Sequence, residues 1–333
     1  MAEVKKQPLI AVVGGDSLIA REIREVLEGS EPPPRVQLIS NAQDDSMMLA
    51  PDEEDVMVMA PLSAESLTGA EVAILAGSQA LSRKAVKTAS EVGIKVIDLT
   101  GALEDRPNAR LRAPMAEPLP PSGGEDSVQI IAHAASIALA MLLAALARSA
   151  NLRRTLVHIF EPASERGKKG LEELQQQTVA VLNFQKLKTD VFDTQVSFSL
   201  LPKYGVEAME PLELIEERLE RHLASLLAAW PGIPMPSLRL VQAPVFHGYS
   251  FSVWAEFEDP VKAEELESTL EAAEIDVRRE DPPSNVGAVG QSGLSVGAIA
   301  VDRNNPRACW FWMVTDNLRI SAENAVAVAR ELL

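Results

Sequence analysis

The residues placed to do chemistry stand where a strand hands over to a helix, in the stretch Gln129–Arg148, QIIAHAASIALAMLLAALAR. Val128 to Ala132 is a short apolar run rich in β-branched residues and reads as a buried strand. From Ser136 to Leu146, Ile, Leu, Met and Ala follow one another, a helix-forming composition. His133-Ala134-Ala135-Ser136 therefore fall at the carboxyl end of a strand and the amino end of a helix. An open α/β sheet places reactive groups at such joints, where unpaired helix N–H groups stabilise anions. The run has about the 20 residues a membrane span needs. Gln129, His133 and Ser136 interrupt it, however, and eight alanines dilute it. A helix apolar all round belongs in the interior of a large protein.

Other reactive side chains are sparse. His133, His158, His222 and His247 show no ligand spacing, so no metal is expected. The single cysteine, Cys309, excludes intrachain disulfides and thiolate-rich metal sites. A formal charge of -17, from 31 basic against 48 acidic residues, argues against nucleic acid or an anionic membrane as partner. The start, MAEVKKQPLIAVV, lacks the long apolar core of a signal peptide, so a cytoplasmic location is expected.

The elements that must carry these residues can be read in order. At 333 residues the chain should form about two domains. Leu9–Val13 is apolar throughout, as strands covered on both faces are. Gly14-Gly15-Asp16-Ser17 turns into a helix ending near Glu28, with Asp16 or Ser17 as its N-cap. Strands are expected at Val36–Ile39, Val56–Met59, Val72–Leu75 and Ile94–Asp98, with a helix over Ser82–Val92. This alternation is the doubly wound α/β pattern. Met115–Asp126, rich in Pro, Gly and acids, reads as a linker. Further on, strands are expected at Thr155–Ile159, Gln195–Leu201, Ser237–Gln242, Phe251–Phe257, Val296–Val301 and Trp310–Val314. Glu161–Gly170 reads as a polar loop before a helix over Leu171–Val181. Pro211–Trp230 reads as an amphipathic helix with Leu214, Leu219, Leu223 and Trp230 toward a core. Pro260 is expected at N1 of a helix carrying Leu266 and Leu270, and Ser321–Leu333 forms the last helix.

Five stretches together resemble the aspartate-semialdehyde dehydrogenase family. They are IAVVGGDSLIAREIREVLEG, KVIDLTGAL, IIAHAASIALAMLLAAL, HIFEPASERGKKGLEELQQQT and VTDNLRISAENAVAVARELL, and APVFHGYSFSVWAEFE fits the family's late strand. The resemblance implies a homodimer that uses NADP to interconvert aspartyl phosphate and aspartate semialdehyde. It also implies a Rossmann-like doubly wound domain, residues 1–126 with about 315–333, and an α+β dimerisation and catalytic domain, residues 127–314. On the family's pattern the cofactor would meet Gly14, Asp16, Ser17, Leu18, Ile19, Ser40 and Asn317.

Departures from that pattern fall on the residues that matter most. The family's Asn-Pro-Asn-Cys-Ser-Thr reads His133-Ala134-Ala135-Ser136-Ile137-Ala138, which puts Ser136 at the catalytic cysteine. The reaction needs a thiolate that adds to the aldehyde and later leaves as a thioester acid. An unassisted hydroxyl is far less ionised near neutrality. The acyl-positioning Gln falls at Glu161, the carboxylate-binding Arg at Gln242 and the base, a His, at Tyr249. A phenol with a pKa near 10 makes a poor base at neutral pH. His247, two residues earlier, is the alternative base if the alignment shifts. The phosphate-binding Arg falls at Glu104, and the Lys of the Asp-Asn-Leu-Arg-Lys run is Ile320, while Lys168 is kept.

The cofactor end departs too. The Gly-x-x-Gly-x-x-Gly turn reads Gly14, Ser17 and Ala20, and Ser17 adds a Cβ where the backbone should approach phosphate. Ser40-Asn41-Ala42-Gln43-Asp44-Asp45 replaces the basic cluster for a 2′-phosphate, so NAD is favoured over NADP if either binds. The chain thus reads as a Usg-type homologue that keeps the fold, has lost the ordinary reaction and binds or regulates. It would be a homodimer with a small-molecule ligand. The alternative is an active NAD(P)-dependent oxidoreductase acting on aldehyde or acyl-phosphate substrates.

Overall fold

Strand and helix alternate from Leu9 because short apolar runs there are separated by turns that stop one element and cap the next. In the computed structural model, which describes residues 7–40, 58–118 and 127–333, the order begins β1 (Leu9–Val13), α1 (Leu18–Glu28) and β2 (Arg35–Ser40). It continues with β3 (Ala60–Pro61), α2 (Ala64–Leu67), β4 (Val72–Leu75), α3 (Gln79–Val92), β5 (Lys95–Asp98), β6 (Ala109–Arg112) and β7 (Val128–Ile131). These strands form one parallel sheet in the order β3-β2-β1-β4-β5-β7-β6. Ser17, Ser63 and Ser78 each accept a backbone N–H at a helix start, which fixes where α1, α2 and α3 begin. Ala11, Val13, Leu75, Val86, Val96 and Ile130 pack into one buried cluster.

The second sheet is mixed. After α4 (Ala134–Leu146) come β8 (Leu152–Glu161), a 3₁₀ turn at Ala163–Arg166, α5 (Gly167–Leu182), α6 (Leu212–Leu227), β9 (Ser237–Gln242) and β10 (Tyr249–Phe257). Then follow α7 (Ala263–Ala272), β11 (Asp276–Arg278), α8 (Asn285–Ala288), β12 (Ser295–Asp302), β13 (Asn305–Thr315) and α9 (Asn317–Leu332). The order in the sheet is β11-β12-β13-β10-β8-β9. Alternation along β10 buries Phe251, Val253, Ala255 and Phe257, and α4 packs against both α6 and α7. The chain forms two compact units, residues 1–132 with 321–333, and residues 133–320. The expected α/β class, a Rossmann-like parallel sheet and a second domain of helices on a mixed sheet, is what is found.

Several element expectations are corrected. Gln195–Leu201 is not a strand: the side chain of Gln177 accepts the N–H groups of Val196 (2.7 Å) and Ser197 (3.2 Å), so that backbone is satisfied without a ladder. Only Leu201 pairs, in a single bridge to Gln242. Glu161–Gly170 is not one loop but a strand end, a 3₁₀ turn and a helix start. Pro260 precedes α7, whose N-cap is Lys262. Leu214 is exposed and Trp230 lies beyond α6. The last helix starts one turn early because Asp316 Oδ1 accepts the N–H groups of Leu318 and Arg319. Edge strand β6 was not expected. Of Val56–Met59 the first part lies outside the described residues, as do Asn41–Asp45 and residues 119–126.

Candidate functional site

Three of the four expected site residues meet at one end of the second sheet. Period-two alternation along β8 exposes Arg154, Leu156 and His158 and buries Val157, Ile159 and Glu161. Glu161 is paired in register with Gln242, the last residue of β9, and Tyr249 opens β10. The Glu161 carboxylate accepts from Arg166 Nη2 at 3.1 Å, and the hydroxyls of Tyr204 and Tyr249 stand 3.3 Å and 3.5 Å from it. The other Arg166 prong, Nη1, donates to Glu210 at 2.5 Å. Gln242 Nε2 donates to the carbonyls of Glu161 and Ala243, which fixes the amide so that its Oε1 faces the Tyr204 hydroxyl at 2.5 Å.

Burial sets the charges in this network. Removing a carboxylate from water disfavours its charge, and burial raises Glu161 to about 7, with Arg166 pulling the other way. Glu165 is raised for the same first reason, again against Arg166. Burial also holds Tyr249 and Tyr204 well above an ordinary phenol, so both are neutral donors and neither is a base near neutrality.

Ser136 is engaged elsewhere. It is fully buried in the first turn of α4, and its hydroxyl donates to the carbonyl of Leu219 on α6 at 2.9 Å. A hydroxyl has one proton to give, and here it goes to a backbone acceptor. His133 caps α4: its Nδ1 accepts from Ala135 N at 3.3 Å, and its own N–H donates to Nδ1 of His222 at 2.9 Å. Burial, then Arg218, His222 and Arg166, hold the imidazole well below its ordinary value, so it is neutral. Its Nε2 lies 4.0 Å from Glu165, and its ring 6.1 Å from that of Tyr249. Among the described residues the Ser136 hydroxyl is hydrogen-bonded to a backbone carbonyl and not to a base.

The expected cofactor residues fall in both units. In the first, Gly14 has φ +91°, and a Cβ there would lie 2.3 Å from Cα of Gly77, so only glycine fits. Gly14 and Gly15 donate their N–H groups to Ile39 O, and Ser17 caps Ala20 N at 3.1 Å. The first-turn N–H groups left for an anion are those of Leu18 and Ile19. The turn therefore fits a phosphate through those two residues. Ser40 closes β2 and is buried. In the second unit, the Asn317 side chain accepts from Ser164 Oγ at 3.1 Å and Gly248 N at 3.3 Å. Lys168 is exposed and Ile320 buried.

Arg166, Tyr204 and Glu210 were not singled out from sequence, although they complete the network. Arg166 sat within the stretch read as a polar loop, and Tyr204 and Glu210 lie in an irregular segment with no periodic signal. Among the described residues no group of His, Cys, Asp or Glu could hold a metal ion, and no helix is long and apolar enough to cross a membrane.

Several known proteins are similar to this chain over nearly its whole length. Residues 9–120 match the family described as semialdehyde dehydrogenase, NAD binding domain, and residues 143–320 its dimerisation domain. A "USG-1 protein homolog" from Pseudomonas aeruginosa is 31% identical, covering 98% of each chain. An "aspartate-semialdehyde dehydrogenase" from Prochlorococcus marinus is 24% identical, over 97% of this chain and 95% of the other. A solved structure titled as a probable aspartate-semialdehyde dehydrogenase from Pseudomonas aeruginosa superposes with a TM-score of 0.84 at 28% identity, covering 98% of each chain.

Proposed function

The chain belongs to the semialdehyde dehydrogenase family, and from that premise we propose that it is a binding or regulatory member that does not run the ordinary dehydrogenase reaction. The observation that carries this reading is Ser136. It stands where the resemblance puts the nucleophile, and its proton is given to the backbone carbonyl of Leu219 rather than to a base. A hydroxyl without a base is a weak nucleophile at neutral pH. The positions of the positioning Gln and the Arg clamp hold Glu161, whose carboxylate accepts from Arg166, and Gln242, whose amide donates to the Glu161 carbonyl and faces the Tyr204 hydroxyl.

A nicotinamide nucleotide supplies a hydride acceptor to this family when bound. In this chain the N–H groups of Leu18 and Ile19 would hold its phosphate, beside the Gly14 turn. Ser40 completes the proposed contacts of the first unit, Asn317 is the residue proposed for the cofactor in the second, and NAD is favoured over NADP. The proposed assembly is a cytoplasmic homodimer built through the second domain, with a small-molecule ligand and neither nucleic acid nor membrane as partner.

The test is reduction of NADP with aspartate semialdehyde and phosphate as substrates. No turnover above background is expected. A rate within about a hundredfold of an active family member would overturn the reading and favour an active oxidoreductase, since loss of a nucleophile costs far more than that.

A further inference from the structure

The guanidinium of Arg166 does not sit on Glu161 by chance of surface geometry. The 3₁₀ turn that carries it ends at Gly167, with φ 64° and ψ -158°, a conformation open in practice only to glycine. At Gly170 a Cβ would lie 2.4 Å from Ala163 O and 2.6 Å from Arg166 Cβ, so α5 closes on the turn only because that side chain is missing. The turn is thereby locked, and it presents the arginine inward with its side chain only 12% exposed. One prong takes Glu161 and the other Glu210. Nε, the remaining donor, is buried with no acceptor, so the group is held from its outer edge alone. One fully buried carboxylate, Glu161, and one partly exposed one, Glu210, facing a single planar cation are an arrangement that binds a free guanidinium.

We infer that Arg166 is an internal ligand: its guanidinium fills a guanidinium-shaped site made by Glu161 and Glu210, and closes the second domain's site to other molecules. This rests on the reading of Glu161 as the acyl-positioning residue, since that places the guanidinium where a substrate's acyl group would lie. Carboxylate and acyl-phosphate ligands are refused twice, by the occupying side chain and by the carboxylates beneath it. The class of molecule the vacated site would take is a planar guanidinium or amidinium cation.

Thermal unfolding of the full chain tests this, with methylguanidinium chloride at low millimolar concentration and tetramethylammonium chloride as the matched salt. In Arg166→Ala, methylguanidinium should raise the melting temperature by several degrees and saturably, as a ligand of the native state does. Wild type should not respond, and Glu161→Gln combined with Arg166→Ala should lose the response. If Arg166→Ala does not fold unaided, refolding in methylguanidinium should recover it. No stabilisation or recovery of Arg166→Ala, an equal effect of tetramethylammonium, or an equal rise in wild type would each overturn the inference. Turnover by the wild-type chain is read separately, so loss of the functional proposal and loss of this one give different results.

Discussion

The hydroxyl of Ser136 and the carbonyl oxygen of Leu219 lie 2.9 Å apart, and their hydrogen bond joins α4 to α6. That bond makes Ser136 a structural tie. Ser136→Cys is therefore expected to leave the dehydrogenase rate at background, because Gln242 and Tyr249 still lack the clamp and the base. Ser136→Ala should cost about 1 kcal/mol of stability, the net worth of one hydrogen bond. A normal rate of NADP reduction by Ser136→Cys alone would show that the other positions matter little.

Glu161 makes stability depend on pH. Its carboxyl is raised to about 7 in the folded chain against an ordinary 4.5, so between those values the native state binds more protons than the unfolded one. The group's contribution is then greatest below pH 4.5 and is lost as pH rises toward 7. The loss is about 3 kcal/mol at most, and less where Arg166 shares the charge. Denaturant titrations across this range should show Glu161→Gln with a flatter profile than wild type. An identical slope for both proteins would remove Glu161 as the cause.

Nucleotide binding should be weak. The Gly14 and Gly15 N–H groups are already spent on Ile39 O, which leaves two first-turn N–H groups for a phosphate. Calorimetric titration is expected to give NAD a dissociation constant above about 100 μM, roughly -5.5 kcal/mol, with NADP weaker. Low-micromolar NADP binding would contradict both the weakened turn and the preference.

A homodimer should form through one particular sheet face. Phe251, Val253 and Phe257 are already buried within the single chain. The opposite face carries Leu156, Trp254 and Trp310 in one row across three strands, with Leu156 47% and Trp310 42% exposed. Asp302 fixes both indoles, accepting from Trp254 at 2.8 Å and Trp310 at 3.0 Å. Light scattering should report a dimer of the 36.0 kDa chain, and Leu156→Asp should shift it to monomer with little change in melting temperature. A wild-type monomer at micromolar concentration would refute the dimer, and an unmoved Leu156→Asp dimer would refute this face.

How much of this was legible depends on where each signal resides. Strands such as Leu9–Val13 and Val72–Leu75 announce themselves because burial on both faces demands unbroken apolar runs. Ala109–Arg112 does not, since ARLR is an edge strand defined by its pairing with Val128–Ile131. Gln195–Leu201 alternates like a strand, yet Gln177, nearly twenty residues earlier, takes its N–H groups. In the site, Glu161, Gln242 and Tyr249 could be read from motifs at strand ends. Arg166 and Glu210 gain meaning only from an ion pair that closes across a long stretch of chain.

The discontinuity of the first unit has a consequence for how the chain is made. Residues 321–333 belong with residues 1–132, and α9 buries Ala322, Ala325, Val326 and Ala329. It also takes Met115 N on Asn324 and Arg112 on Glu331. On the ribosome these residues emerge only after the whole second unit. The parallel sheet therefore waits, with apolar surface uncovered, while the unit encoded later can already collapse. The part translated first is the part completed last, and a stalled or clipped nascent chain would expose its oldest segment to chaperones and proteases.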